Sequence, residues 1–331
     1  MAEEQLAMQN APVQGKKKHE GSIRTRRIIS NTAIYTVLVL ICIIWLVPFV
    51  CIVFQSFNID WKIAYQAAAA VDPTLPEPRG GGIVGYVWPK NWGFDNYINL
   101  FTKTDFLIHK NTDGSWHLGW YLNTLIISVA TAIIQTIMIM TMAYTLSRLR
   151  FKGRKFLMNF MLVLGMFPGF LTMIVLYFLL KDMGLTQSGS IGGLILVYTA
   201  SSGMGYYVCK GFFDTVPKSL DEAARVDGAT GLQIMLKVIM PLSKPIVIYT
   251  VLTAFMGPWG DFMFAKFIAF GEPLGYNVAV GLQSFLVPDQ ITQSYTLFCA
   301  GGVLVAIPVT ILFMCLQRFY VEGVTGGAVK G

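Results

Sequence analysis

The sequence is poor in charge and almost without histidine. Only 13% of its 331 residues are charged, against roughly a quarter in a soluble domain, while 54% are hydrophobic. So few charges cannot cover a water-facing surface, and the chain is expected in a bilayer. The three histidines, His19, His109 and His117, make no H-E-x-x-H or other metal spacing, so no metal site and no membrane enzyme built on one is expected. Five cysteines, Cys42, Cys51, Cys209, Cys299 and Cys315, sit in apolar runs without a C-x-x-C pair, which argues against a disulfide framework. There is no G-x-x-x-x-G-K-[ST] phosphate loop, so the chain does not supply ATPase chemistry by that route. The net charge of +7 comes from basic residues beside apolar runs, which points to membrane topology rather than to nucleic acid.

What the sequence does have is apolar length. Runs of about 20 residues suffice to span a bilayer. Such runs lie near 33–54, 121–143, 156–179, 191–213, 246–264 and 295–316, which gives an all-α, polytopic protein with six transmembrane helices. Pro48, Pro168, Gly203, Gly205, Pro258 and Pro308 fall inside them, as membrane helices tolerate. Residues 1–30 read as a cytoplasmic segment, with Lys16, Lys17, Lys18, Arg24, Arg26 and Arg27 ahead of a first span too long for a cleaved signal peptide. Arg148, Arg150, Lys152, Arg154 and Lys155 follow the second run, and Lys218, Arg225, Lys237 and Lys244 follow the fourth. Residues 271–294 hold Glu272 and Asp289 but no Lys or Arg, so both termini are expected in the cytoplasm of a multi-pass cell-membrane protein.

The loop near 57–119 is then outside. Its Trp61, Trp88, Trp92, Trp116 and Trp120 suit an interfacial belt or, alternatively, a docking surface. Within the runs, Asn123, Gln135, Asn159, Tyr198, Ser201, Ser202, Tyr206, Tyr207, Trp259 and Asp261 are candidates to line a path, and none is assigned to a substrate.

The loop after the fourth run, VPKSLDEAARVDGATGLQIMLKVIMPLSKP, is the most informative stretch. Ser219 with Glu222 fits one capping box and Thr230 with Gln233 a second, with Gly228 between them as a left-handed stop. Pro241 and Pro245 punctuate the second helix and the entry to the next run. Small Ala223 and Ala224 permit close approach, and Leu220, Ile234, Leu236 and Val238 offer apolar contact. Two short helices of this kind suit either a coupling element pushed by a soluble partner or an ordinary interfacial loop.

The run from Glu222 to Pro245 resembles the EAA loop of ABC-importer permeases, E-A-A-x-x-x-G followed by an apolar stretch and a proline. Glu222, Ala223, Ala224 and Gly228 match, and Met240 stands where leucine often precedes the proline. From about Asn123 onward the chain resembles the MalG-type permeases of carbohydrate importers, including YNVAVGLQSFL at 276–286 and the ending GVTGGAVKG. The resemblance implies a type I ABC-importer permease fold, with a first helix and extracellular loop at 31–118, a permease core at 119–318 carrying the coupling loop 213–245, and a cytoplasmic tail at 319–331. It implies half of a translocation pore for sugars, with malto-oligosaccharides as the first expectation. Implied partners are a MalF-like second permease, two ATP-binding cassette subunits that use ATP and Mg, an extracellular or periplasmic sugar-binding protein, and membrane lipids. This chain itself is expected to bind no cofactor and no nucleic acid. Glu222, Ala223, Ala224, Asp227, Gly228 and Pro241 would form the ATPase-coupling site. Gly275, Tyr276, Gly281, Leu282 and Gln283 would face the binding protein, or else belong to a surface loop with a short amphipathic segment. The tail would touch the ATPase pair or remain a free end. The rival is a secondary transporter or channel that works without an ATPase.

Overall fold

The apolar runs do not all form single helices. The computed structural model describes residues 16–111, 114–201 and 204–328. By compactness the chain divides into Met1–Ile52 and Val53–Gly331, so the stretch 53–118 belongs with the larger unit. The first unit is the bulk of α1 (Lys16–Ser56), which carries Pro48 without breaking. Its apolar part, Ser30–Ser56, is about 40 Å long at 1.5 Å per residue, enough for a bilayer core of roughly 30 Å.

The larger unit is mostly helical. Its connecting segment holds α2 (Asp60–Ala69), α3 (Asp95–Thr102) and a short antiparallel ribbon, β1 (Ile108–Lys110) with β2 (Trp116–Leu118). This ribbon is the one named sheet among the described residues, a small departure from the all-α expectation. The bundle helices follow: α4 (Trp120–Arg148), α5 (Arg154–Gly165), α6 (Gly169–Asp182), α7 (Ser190–Ala200) and α8 (Gly205–Asp214). After them come α9 (Lys218–Val226), α10 (Gly231–Leu242), α11 (Lys244–Gly260), α12 (Met263–Ala269), α13 (Val278–Ser284) and α14 (Ile291–Ala328).

Among the described residues three helical stretches are each long and apolar enough to cross a membrane: Ser30–Ser56, Trp120–Arg148 and Ile291–Arg318. A fourth is gained if α10 and α11, bent by 90°, count as one. The other expected runs are broken. The run 156–179 splits at Pro168, whose extended backbone (φ −60°, ψ 124°) separates α5 from α6. The run 191–213 splits after Ala200, and Ser202 and Gly203 lie outside the described residues. The run 246–264 ends its helix at Gly260, where Asp261 turns extended. Within the expected tail, 319–331, α14 continues to Ala328, and 329–331 lie outside the described residues.

α4 is the spine of the larger unit and packs on α7, α8 and α11, while α14 packs on α11 and α3. One core joins Met140, Ala143, Tyr144, Phe213, Ile234 and Ile239 at one end of α4. A second joins Leu100, Trp120, Trp259, Val278, Leu282 and Leu297 at the other.

The segment 57–119 is bound to the bundle by polar contacts. Asn96 is fully buried, and its Oδ1 accepts from Trp61 Nε1 (3.0 Å) and Thr296 Oγ1 (2.8 Å). Its Nδ2 donates to the carbonyls of Ser56 (3.0 Å) and Asn58 (2.8 Å). Burial pushes the Asp60 carboxyl upward, but hydrogen bonds from Tyr86, Lys90 N–H and Asn91 outweigh it and hold the group below its ordinary range. The five tryptophans share no single environment. Trp120 is core, Trp61 bonds Asn96, and Trp88, Trp92 and Trp116 are exposed. Trp88 and Trp92 pack edge to face with each other (5.2 Å) and with Phe54 (5.0 and 5.5 Å).

Asn96→Ala should therefore free the segment. It strands the buried donor of Thr296, the half-buried indole N–H of Trp61 and two carbonyls, with each buried group worth about 1–3 kcal/mol when left unsatisfied. Limited proteolysis of membrane vesicles should cut within 57–102 in the variant and spare the wild type. Equal protection of both would refute the assignment of Asn96 as the anchor.

Candidate functional site

The site is the loop between α8 and α11. α9 starts at Lys218 because Pro217, in an extended conformation (φ −58°, ψ 133°), fixes the turn just before it. Ser219 therefore lies inside the first turn, no side-chain cap bond forms there, and the capping box expected from Ser219 and Glu222 is absent. The stop, by contrast, is built as expected. Gly228 adopts φ +82°, Ala229 N–H donates to Ala224 O (2.9 Å) and Gly228 N–H to Arg225 O (3.0 Å), the paired bonds of a Schellman cap.

The second capping box is present. Gln233 N–H donates to Thr230 Oγ1 (3.3 Å) and Thr230 N–H to Gln233 Oε1 (2.8 Å). α10 then widens into a π-turn over Met235–Ile239, directly before Pro241, which has no N–H for a regular turn. Pro245 enters α11 in its first turn, where the missing donor costs nothing.

Helical spacing sorts the loop into two faces. Glu222, Ala223, Asp227, Gly228 and Pro241 are exposed, and Ala224 is half-buried against the core. Ile234 is fully buried and Val238 packs on the same core, so neither gives the external contact expected of it. Leu220 and Leu236 are exposed, joined by Val226 (88% exposed) and Leu232. Within α9, residues 220, 223 and 226 share the exposed face, and 221 and 224 the face that meets the bundle.

The partner that holds the inner face was missed. Arg148, at the end of α4, pairs through Nε with Asp221 Oδ2 at 3.0 Å, and its Nη2 donates to Val216 O at 2.9 Å. Beside it Ser147 Oγ donates to Asp214 Oδ1 at 2.6 Å. In the sequence Arg148 reads only as one of five basic residues that set orientation.

At the other end of α4, residues 275–283 are strapped down. Asn123 Nδ2 donates to the carbonyls of Leu274 (3.1 Å) and Tyr276 (3.0 Å), and Val278 N–H donates to Thr124 Oγ1 (2.7 Å). Gly275, Gly281 and Leu282 are buried; Tyr276 and Gln283 are half-buried, and Gln283 Oε1 accepts from Lys266 Nζ at 3.3 Å. Asn277 caps α13 through Val280 N–H (3.0 Å) and donates to Asp261 O (2.7 Å).

The polar residues of the apolar runs separate as well. Asn123 and Trp259 are in the core. Asp261 accepts from Tyr198 Oη (2.5 Å) and caps α12 through Phe264 N–H (3.1 Å). A cleft of about 280 Å³ is lined by Gln135, Ile139, Ser201, Tyr249 and Thr253.

Residues 135–326, more than half of the chain and all of this loop, match the family model of the binding-protein-dependent transport system inner membrane component. The chain belongs to that family. Among curated proteins it is 34% identical over 288 residues to the galactooligosaccharides transport system permease protein GanQ of Bacillus subtilis, covering 86% of this chain and 95% of the relative. It is 32% identical over 308 residues to the maltodextrin transport system permease protein MdxG of the same organism, covering 93% and 99%. Among solved structures, a bacterial ABC transporter involved in the import of the acidic polysaccharide alginate has a chain that superposes with a TM-score of 0.63 at 21% identity. That superposition covers 94% of this chain and 100% of the other, and it shows the shared fold. A permease of this family is a multi-pass membrane protein and a transport subunit. The α9–Gly228–α10 unit is thus a part of a transport subunit with one exposed face and one face anchored to the bundle.

Proposed function

We propose that the chain is the permease subunit of an ATP-driven importer and forms half of the translocation pore for an oligosaccharide. The observation that carries this reading is the α9–Gly228–α10 unit. Its outer face, with Glu222, Ala223, Asp227 and Gly228, is free, and its inner face is bonded to α4. Such an element transmits displacement from a soluble ATPase to the bundle; a channel or secondary transporter working alone has no use for it.

Six spans then arise by counting each broken pair once: α5 with α6, α7 with α8, and α11 with α12, alongside α1, α4 and α14. The coupling loop and both termini face the cytoplasm, because the basic residues after the second and fourth runs mark that side. Two ATP-binding cassette subunits bind ATP and Mg and dock on Glu222, Ala223, Ala224, Asp227, Gly228 and Pro241. This chain binds neither. A second, MalF-like permease completes the pore. A sugar-binding protein approaches from outside at the loop around 275–283, where Tyr276 and Gln283 keep partial exposure while Gly275, Gly281 and Leu282 hold the loop to α4. ATP binding favours one of two packings of the bundle, and hydrolysis returns it to the other. The named substrates of the relatives, maltodextrin and galactooligosaccharides, support a neutral oligosaccharide, with malto-oligosaccharide first.

Affinity purification of the tagged chain from its own membrane, followed by mass spectrometry, tests the assembly. An ATP-binding cassette protein and a second permease should co-purify, with a sugar-binding protein added by mild cross-linking. A chain that purifies alone and conducts alone would overturn the reading.

A further inference from the structure

The contact between α9 and the bundle is a buried charge pair that is only half used. The Arg148 side chain is 1% exposed and that of Asp221 10%. They meet through Nε and Oδ2 alone, at 3.0 Å, although a guanidinium and a carboxylate can form two parallel bonds. Arg148 Nε and Nη1 and Asp221 Oδ1 are buried without a hydrogen-bond partner among the described residues, so the Nε–Oδ2 approach is an ion pair that lacks hydrogen-bond geometry. Tyr144 Oη, one helical turn before Arg148 on α4, is likewise buried without a hydrogen-bond partner among them.

Buried charges left partly unmatched are a poor way to gain stability. They do fix position, because the pair loses most of its value once the helices part. The rest of α9 is held lightly, since Leu220, Glu222, Ala223 and Val226 face away and only Ala224 adds to the core. α4, on the other side of the pair, packs on α7, α8 and α11.

We infer that Arg148 and Asp221 are a positioning pair that ties α9 to the end of α4 and carries the displacement of α9 into the bundle. The free Nη1 and Oδ1 allow the pair to pass between single and double contact as α9 tilts, so the tie survives the movement. The source of that movement rests on the proposed coupling to an ATPase; the tie itself does not.

Two measurements on the full chain, with whatever co-purifies, test this separately. Hydrogen exchange of the amides of 218–226 reads the tie with or without an ATPase. Asp221→Asn and Arg148→Gln should each speed it by about a hundredfold or more, with the exchange of α14 unchanged. Sugar transported per ATP hydrolysed, in proteoliposomes, reads the coupling. It should fall about tenfold in Asp221→Asn, while the amount of bound ATPase stays at the wild-type level, and Arg148→Lys, which keeps the charge, should lie between. Unchanged exchange in 218–226 would overturn the pair as a tie. Faster exchange with an unchanged transport-to-ATP ratio would overturn it as a coupling element and leave only a structural contact. Should Arg148→Gln not accumulate, Asp221→Asn, which is nearly isosteric, decides by the same two readings.

Discussion

Replacing Gly228 with valine should nearly abolish uptake while the chain still inserts. The reason is backbone strain and not lack of room. A Cβ built on Gly228 meets nothing within 4 Å, but the residue sits at φ +82°. An ordinary L-residue pays about 1–2 kcal/mol there, and a β-branched one more. The Schellman bonds from Ala229 and Gly228 would go, α9 would run on past its stop, and the exposed faces of α9 and α10 would lose their fixed relation. With an ATPase partner that docks on both faces, uptake of labelled sugar should fall by roughly tenfold or more, since each 1.4 kcal/mol is a factor of ten. Gly228→Asn, which tolerates the left-handed region, should keep most of it. Wild-type uptake with Gly228→Val would refute the turn as the coupling joint.

Gly281→Ala should clearly destabilise the fold. Here space is the issue: an added Cβ would lie 2.0 Å from Trp120 Cδ2 and 2.1 Å from Cε3. The indole cannot swing aside cheaply, because it is buried and packed against Phe285 at 5.7 Å. α13 would have to lift from α4, which breaks the bond from Val278 N–H to Thr124 Oγ1. Overpacking of this kind costs about 1–3 kcal/mol, and the lifted bonds add to it. The melting temperature of detergent-purified protein, followed by size exclusion after heating, should drop for Gly281→Ala. It should partly recover when Trp120→Leu is added, since the smaller side chain vacates the clash. A wild-type melting temperature in Gly281→Ala would show that the packing of α13 on α4 is not this close.

Legibility in the sequence followed the range of the interaction. Gly228 and the Thr230–Gln233 box were readable because a positive φ and a capping box are set by residues within four positions of one another. The Ser219–Glu222 box had the same signature and failed because Pro217 started the helix earlier. The apolar runs were readable as runs, yet breaks at Pro168 and at Asp261 depended on how neighbouring helices accept a half-length segment. Ile234 and Leu236 look alike in sequence; only the approach of α4 and α8 made one core and left the other exposed.

By itself, then, the sequence determined a helical membrane protein with a capped, glycine-hinged loop, because composition and short-range backbone chemistry suffice for that. The tertiary structure alone decided that Arg148 grips Asp221 across 73 positions, that Asn96 clasps Thr296, and that Gly281 leaves room for Trp120. Those contacts join residues far apart in the chain, and no local pattern records which of many similar side chains the packed bundle will bring together.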